Sequence, residues 1–237
     1  MRWIASALAL LILAARPAHA CEDHVFSRTV DGIAADGSFV YTERTFGGRV
    51  LESVNVANPN GKRVAWCELG ETDAGPADVW QCHGDRRFRA TRGVSADRVA
   101  KAWTQILGPT TPLVDLDTAP EGVAQAICAR VPSVWAGMRI DCAPSNAEPL
   151  ENASSPLVFL RFRIKPIKFC GSTSTHDEMT WVTKPDLAAR LAKRGSIFTS
   201  RKQPQLALRA LEALVWLTPN DSAAEAALER ARAAVQR

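Results

Sequence analysis

Apolar and polar residues alternate with a period of two over much of the first half of the chain and with a helical period over much of the second. Residues 38–46 (SFVYTERTF) and 49–57 (RVLESVNVA) are rich in β-branched and aromatic side chains. Between them Gly47-Gly48 offers a two-residue hairpin turn, because both positions accept positive φ. Asn58-Pro59-Asn60-Gly61 makes the next turn and leads into 62–69. This pattern predicts a three-stranded antiparallel meander, extended by 78–82 and 87–91. A propeller is excluded, since no repeat recurs at the 40–50 residue period such a fold requires.

Helical patterns follow. Ser95 is the expected N-cap of a helix over 96–107, stopped by Gly108-Pro109, with Val99, Ala102, Trp103 and Ile106 on one face. Thr118-x-x-Glu121 reads as a capping box with Pro120 in the first turn, opening a helix that reaches about Arg130. Residues 143–156 read as a polar loop and 157–169 as a strand. Within that strand Leu160, Phe162 and Ile164 alternate with Arg161, Arg163 and Lys165, so the apolar set faces a core and three cations share the other face. Those cations form either a site for an anion or acidic partner, or a solvated face whose charges protect a sheet edge. Pro166 points to an edge or a bulge.

The remaining third is helical. Thr183-Lys184-Pro185-Asp186 opens a helix, Pro204 lies near the start of the next, and Thr218-Pro219-Asn220-Asp221 ends it. Leu191, Arg194, Gly195 and Phe198, followed by Ala207, Leu211 and Pro219, resemble the tetratricopeptide repeat, whose 34-residue pattern runs W-x₂-L-G-x₂-Y, A-x₃-F, Pro. The match covers about 188–221, one repeat, and departs from the family at Leu191 for the Trp and at Arg194 for the Leu. The resemblance implies two antiparallel helices that approach closely at Gly195 and cross at Ala207, with Pro219 ending the second. It also implies a surface for a protein or peptide partner. Ser222-x-x-Glu225 then caps a final helix to about Val235.

The N-terminus adds location. Met1-Arg2, an uncharged run over 4–15 and Ala18-His19-Ala20 have the layout of a secretory signal peptide, with 1–20 removed on export. No stretch is apolar enough to span a bilayer. Six cysteines (21, 67, 82, 128, 142 and 170) follow the cleavage site, an even number that predicts three disulfides in an oxidising compartment. Fifteen connectivities are open; short loop closure favours Cys67 with Cys82 and Cys128 with Cys142, leaving Cys21 with Cys170. A bacterial lipoprotein is the alternative, since Cys21 lies directly after the cleavage site, although Ala18-His19-Ala20 matches a lipobox only loosely. Membrane contact is then expected only through a lipid on Cys21. With Arg2 and Arg16 removed, 27 basic residues stand against 25 acidic ones, too balanced for a nucleic-acid binder.

Chemistry is sparse. The nucleophile-elbow, zincin, P-loop and dinucleotide motifs are absent, as is C-x-x-C. The densest polar stretch is 170–178, where His176 could activate Cys170 or Ser174, or join Asp177 and Glu178 on a metal; a disulfide at Cys170 in an ordinary polar loop is the alternative. Asp115-Leu116-Asp117 has a D-x-D spacing, and Asn152-Ala153-Ser154 matches a glycosylation acceptor. The expectation is an α+β fold: a signal peptide over 1–20, a disulfide-stapled β meander with helices over 21–180, and a repeat-like hairpin with a capping helix over 181–237. The expected function is that of an exported, non-enzymatic protein that binds a protein or peptide through 181–237, with no cofactor or metal. An exported hydrolase using the 170–178 loop is the alternative.

Overall fold

The computed structural model describes residues 25–47, 49–72, 75–116, 118–129, 134–135, 138–139, 147–164 and 176–236. The proposed signal segment, Cys21, Asp117, Cys142 and residues 165–175, with Lys165, Pro166, Cys170 and Ser174, lie outside them.

The first sheet is built in chain order. Strands β1 (Val25–Ala34), β2 (Phe39–Gly47), β3 (Arg49–Ala57), β4 (Arg63–Thr72) and β5 (Gly75–Gly84) form an antiparallel meander, and β6 (Thr110–Thr111) adds to the outer edge of β1 at Ile33 and Ala34. Gly47 pairs with Arg49 across the first predicted hairpin. In the second turn Asn58 Oδ1 accepts from the amides of Asn60 and Lys62, and Gly61 takes a φ of 76°. Segment 87–91 does not continue the sheet. It forms a loop, because Phe88 turns inward and is buried to 1 % exposure while Arg87 and Arg89 stay in water.

The second sheet has the order β12-β11-β10-β7, from β7 (Val114–Asp115), β10 (Ala147–Glu151), β11 (Leu157–Ile164) and β12 (His176–Thr183). A small hairpin, β8 (Val134–Trp135) with β9 (Met138–Arg139), stands apart. The polar loop expected over 143–156 therefore contains a strand: β10 pairs with β11 through Ala147–Glu151 and buries Leu150 completely. Over 157–164 β11 is paired on both sides, so this part of it is interior rather than an edge.

Five helices complete the described fold: α1 (Ala96–Leu107), α2 (Glu121–Cys128), α3 (Lys184–Ser200), α4 (Pro204–Leu217) and α5 (Ser222–Val235). Ser95 occupies the N-cap of α1 as expected, without a side-chain hydrogen bond. Two starts differ from the expected caps: Pro120 rather than Thr118 precedes α2, and Asp221 rather than Ser222 caps α5, accepting from the amides of Ala223 and Ala224 at 3.0 and 3.2 Å. Asp is the better cap there, since its charge also meets the positive end of the helix dipole. Thr183 caps α3 as expected, its Oγ1 accepting from the amide of Asp186.

The elements stack in four layers with three cores between them. Val40, Val54, Val56, Ala65 and Cys67 on one face of the first sheet meet Val99, Ala100 and Trp103 of α1, with Phe88 filling the end. The opposite face supplies Ile33, Phe39, Tyr41 and Ala57, which meet Leu150, Leu157 and Phe159 of the second sheet. The far face of the second sheet, with Val158, Leu160, Phe162 and Val182, packs on Val123, Ile127, Leu187, Leu191, Leu211, Leu214 and Leu228 of the helices. Alternating residues of β11 thus enter two different cores, and its run of apolar side chains reflects burial on both faces. The strand β12 passes into α3 without a break, so 181–183 belong to the second sheet and the C-terminal helices share its core.

This is an α+β architecture with a disulfide in its β region, between the directly paired Cys67 and Cys82 of β4 and β5. Cys128 is also disulfide-bonded, to a partner outside the described residues. Disulfides persist in oxidising, extracytoplasmic compartments. Among the described residues no helix is long and apolar enough to cross a membrane.

Candidate functional site

The polar stretch singled out in the sequence ends in β12. His176, Asp177 and Glu178 occupy successive strand positions opposite Ile164, Arg163 and Phe162. Glu178 is described in full, and it is buried to 1 % exposure in the seam between the two sheets. Its Oε2 accepts the backbone amide of Arg28 at 3.0 Å. A strand amide lies in the plane of its sheet, so this one points away from β2 and toward the edge of β1 that β6 leaves open. Glu178 therefore caps a bare strand edge. Its Oε1 has no hydrogen-bond partner among the described residues.

Around this carboxyl group the two sheets are tied by one cation and a set of rings. The guanidinium of Arg28 pairs with Glu43 at 2.6 Å and lies 5.1 Å from the ring centre of Trp181 and 5.9 Å from that of Tyr41. Trp181 contacts Phe39 and Tyr41 edge-on at 4.9 and 4.8 Å, and its indole N–H reaches the carbonyl of Gly61 at 3.4 Å. Loss of hydration pushes Glu178 up to about 8; the charge of Arg28 and its amide pull in the opposite direction, and Glu43 adds to the rise. At neutral pH the group is a protonated acid. Burial likewise raises Tyr41, to about 12.

The other sequence candidates are dispersed. Arg161 of the cationic strand lies between Glu148 at 3.6 Å and Asp115 at 3.9 Å, so its charge is compensated and Asp115, the first acid of the D-x-D pair, is engaged with it. The side chains of Arg163, His176 and Asp177 are outside the description. Asn152 cannot serve as a glycosylation acceptor in the fold: it is 1 % exposed, its Nδ2 donates to the carbonyls of Thr111 and Pro112 and to Thr111 Oγ1, and its Oδ1 accepts from the amide of Ser154. Among the described residues no group of three or more His, Cys, Asp or Glu is placed to hold a metal.

The repeat-like positions come together between α3 and α4. Leu191 and Ala207 are buried, and a Cβ added at Gly195 would stand 2.7 Å from Leu211 Cδ2, so the helices approach at that glycine. Phe198 carries the guanidinium of Arg194 at 5.3 Å, and Pro219 lies in the turn after α4.

One further polar feature escaped the periodicity. The loop after β5 carries Arg86, Arg87, Arg89 and Arg92, all exposed. The sequence signal is four arginines in seven residues, within and beside the segment 87–91 expected to extend the meander. Arg87 is paired with Asp85 at 2.7 Å, which holds the Asp85 carboxyl below its usual range. Arg89 Nη1 donates to the carbonyls of Asp85 and Phe88.

Compared with protein families, curated proteins and solved structures, the chain matches none.

Proposed function

We propose that this is an exported, non-enzymatic protein that contacts a protein or peptide partner through its C-terminal helices. Export is supported by the signal-like first twenty residues and by the disulfides, which need an oxidising compartment. The observation that carries the contact reading is the order of the helical row. The middle helix, α4, is covered by α2, α3 and α5, whereas α5 packs chiefly on α4 through Ala224, Leu228 and Ala231. The outer side of α5, with Glu225, Ala226, Glu229 and Arg230, is exposed. A repeat hairpin offers such a side to a further helix or peptide. The hydrolase reading has less behind it, because the carboxyl group of Glu178 is committed to the seam between the sheets.

A photo-crosslinking residue placed at Ala226 in the secreting cell tests this. A discrete adduct is expected from Ala226 and none from Lys62, an exposed control in the turn between β3 and β4. No adduct at Ala226, or the same adducts from both positions, would overturn the reading.

A further inference from the structure

We propose that Glu178 is a proton-controlled latch: once its carboxyl group loses its proton, the seam between β1 and β12 parts at residues 25–30 and 176–180 while the rest of the sheets and the helical core stay closed. The proposal is independent of the helical contact surface. Its first ground is how little else holds this end of the seam. The strand β1 is divided by a bulge between Val30 and Gly32. Beyond the bulge its outer edge pairs with β6 at Ile33 and Ala34. Before the bulge that edge has no described ladder, and the amide of Arg28 donates to Glu178 Oε2 instead. The strand β12 is likewise an edge, paired with β11 on one side only. Parting these two edges therefore breaks no described ladder. Further along, Trp181 is held by Phe39, Tyr41 and the Gly61 carbonyl, with Leu150, Leu157 and Phe159 in the same core. Those contacts act as a hinge, so an opening that begins at Glu178 stops at Trp181.

Its second ground is charge. The charged groups that act on Glu178 are Arg28 of β1 and Glu43 of β2. Tyr41 of β2, pushed up to about 12 by burial, stays neutral, and Phe162, opposite Glu178 in β11, is apolar. The side chains of His176 and Asp177 in β12 and of Arg163 in β11 lie outside the description. With Glu178 protonated, the described seam holds one cation and one anion, Arg28 and Glu43, 2.6 Å apart. Ionisation sets a second carboxylate against the same cation, and its Oε1 meets no donor among the described residues. Such a charge is costly while buried, and a local opening that admits water relieves it. The proton is retained up to about 8 in the closed seam, against an ordinary value of 4.5, so opening is favoured progressively as pH rises between those limits.

Hydrogen exchange of single backbone amides in the full protein, followed by NMR from pH 5 to 9 and corrected for the intrinsic rate, tests this. Protection of the Arg28 amide should fall about tenfold per pH unit, because each opening releases one proton, and should level off above pH 8. It should depend little on urea, since the opening exposes little surface. The amide of Val54, in the interior of the first sheet, should instead exchange through global unfolding, with a steep urea dependence. Glu178→Gln keeps an acceptor for the Arg28 amide and should abolish the fall with pH. Glu43→Gln removes the competing acid, so Glu178 ionises more easily in the closed seam and the fall should level off at a lower pH. A side chain that only fills space would not move that point. Three results would overturn the proposal: Arg28 exchanging with the urea dependence of Val54, a fall with pH that persists in Glu178→Gln, or a levelling point unmoved by Glu43→Gln.

Discussion

A carboxylic acid sealed between two sheets has to be neutral or paired, and Glu178 takes the first course. The unfolded chain releases this proton near the ordinary value of 4.5, whereas the folded chain keeps it to about 8. Between those limits the native state binds one more proton than the unfolded state, so stability falls as pH rises, by about 1.4 kcal/mol per pH unit, and levels off above 8. Glu178→Gln keeps an oxygen for the Arg28 amide and cannot ionise. It should flatten that slope and be more stable than wild type at pH 8, measured by urea unfolding across pH 5 to 9. An unchanged slope would exclude Glu178 as its source. The polarity that marked 176–178 as a loop in the sequence is the reason its role was hidden. Three charged-type residues in a row argue against a strand, and only the protonated state and the amide of Arg28, 150 residues away, reconcile Glu178 with burial. Asn152 was masked in the same way, as a surface motif that the fold spends on holding residues 111 and 112.

Helix positions were legible where an apolar stripe and a stop signal coincide, as in α1 with Gly108 behind it, and less so where a neighbour decides. The short helix α2 shows this. A Cβ added at Gly122 would come 2.4 Å from the Arg209 carbonyl and 2.9 Å from Ala213 Cβ, so α2 and α4 meet backbone to backbone. Elsewhere in a helix Gly→Ala is favourable by about 1 kcal/mol. Here it should cost roughly 1–3 kcal/mol, because overpacking must push the two helices apart; thermal unfolding of Gly122→Ala checks the sign. The strand β10 was illegible for a related reason. Of Ala147-Glu148-Pro149-Leu150-Glu151 only Leu150 is fully buried, and no period can be read from one residue. Its extended form comes from β11 on one side and β7 on the other. In the arginine loop, by contrast, the charge cluster was plain in the sequence, and what stayed hidden was that Phe88 anchors it.

At the scale of the whole molecule, the class of fold and the main meander followed from local pattern, while the second sheet did not, since its strands come from four separated stretches of chain. The apolar faces of the helical tail are covered by the core it shares with Val158, Leu160, Phe162 and Val182. A fragment of residues 184–237 lacks that core and α2. It should be poorly ordered or self-associating by circular dichroism and sedimentation; a monomeric fragment with a cooperative melt would show that the helices stand alone.

The strand that feeds two cores carries a consequence for how the chain reaches this state. The meander of β1 to β5 closes through turns of a few residues, so its loops form early and at low entropic cost. The strand β11 cannot be buried on either face until the meander is present to receive Leu157 and Phe159 and the last three helices are present to receive Val158, Leu160 and Phe162. As the chain emerges during synthesis, the stretch from 157 onward must therefore wait, apolar and half-paired, for the helices that follow it. The order of events is set by the position of one eight-residue segment, and the interval before α5 emerges is when this protein is most exposed to misassociation and most in need of a chaperone.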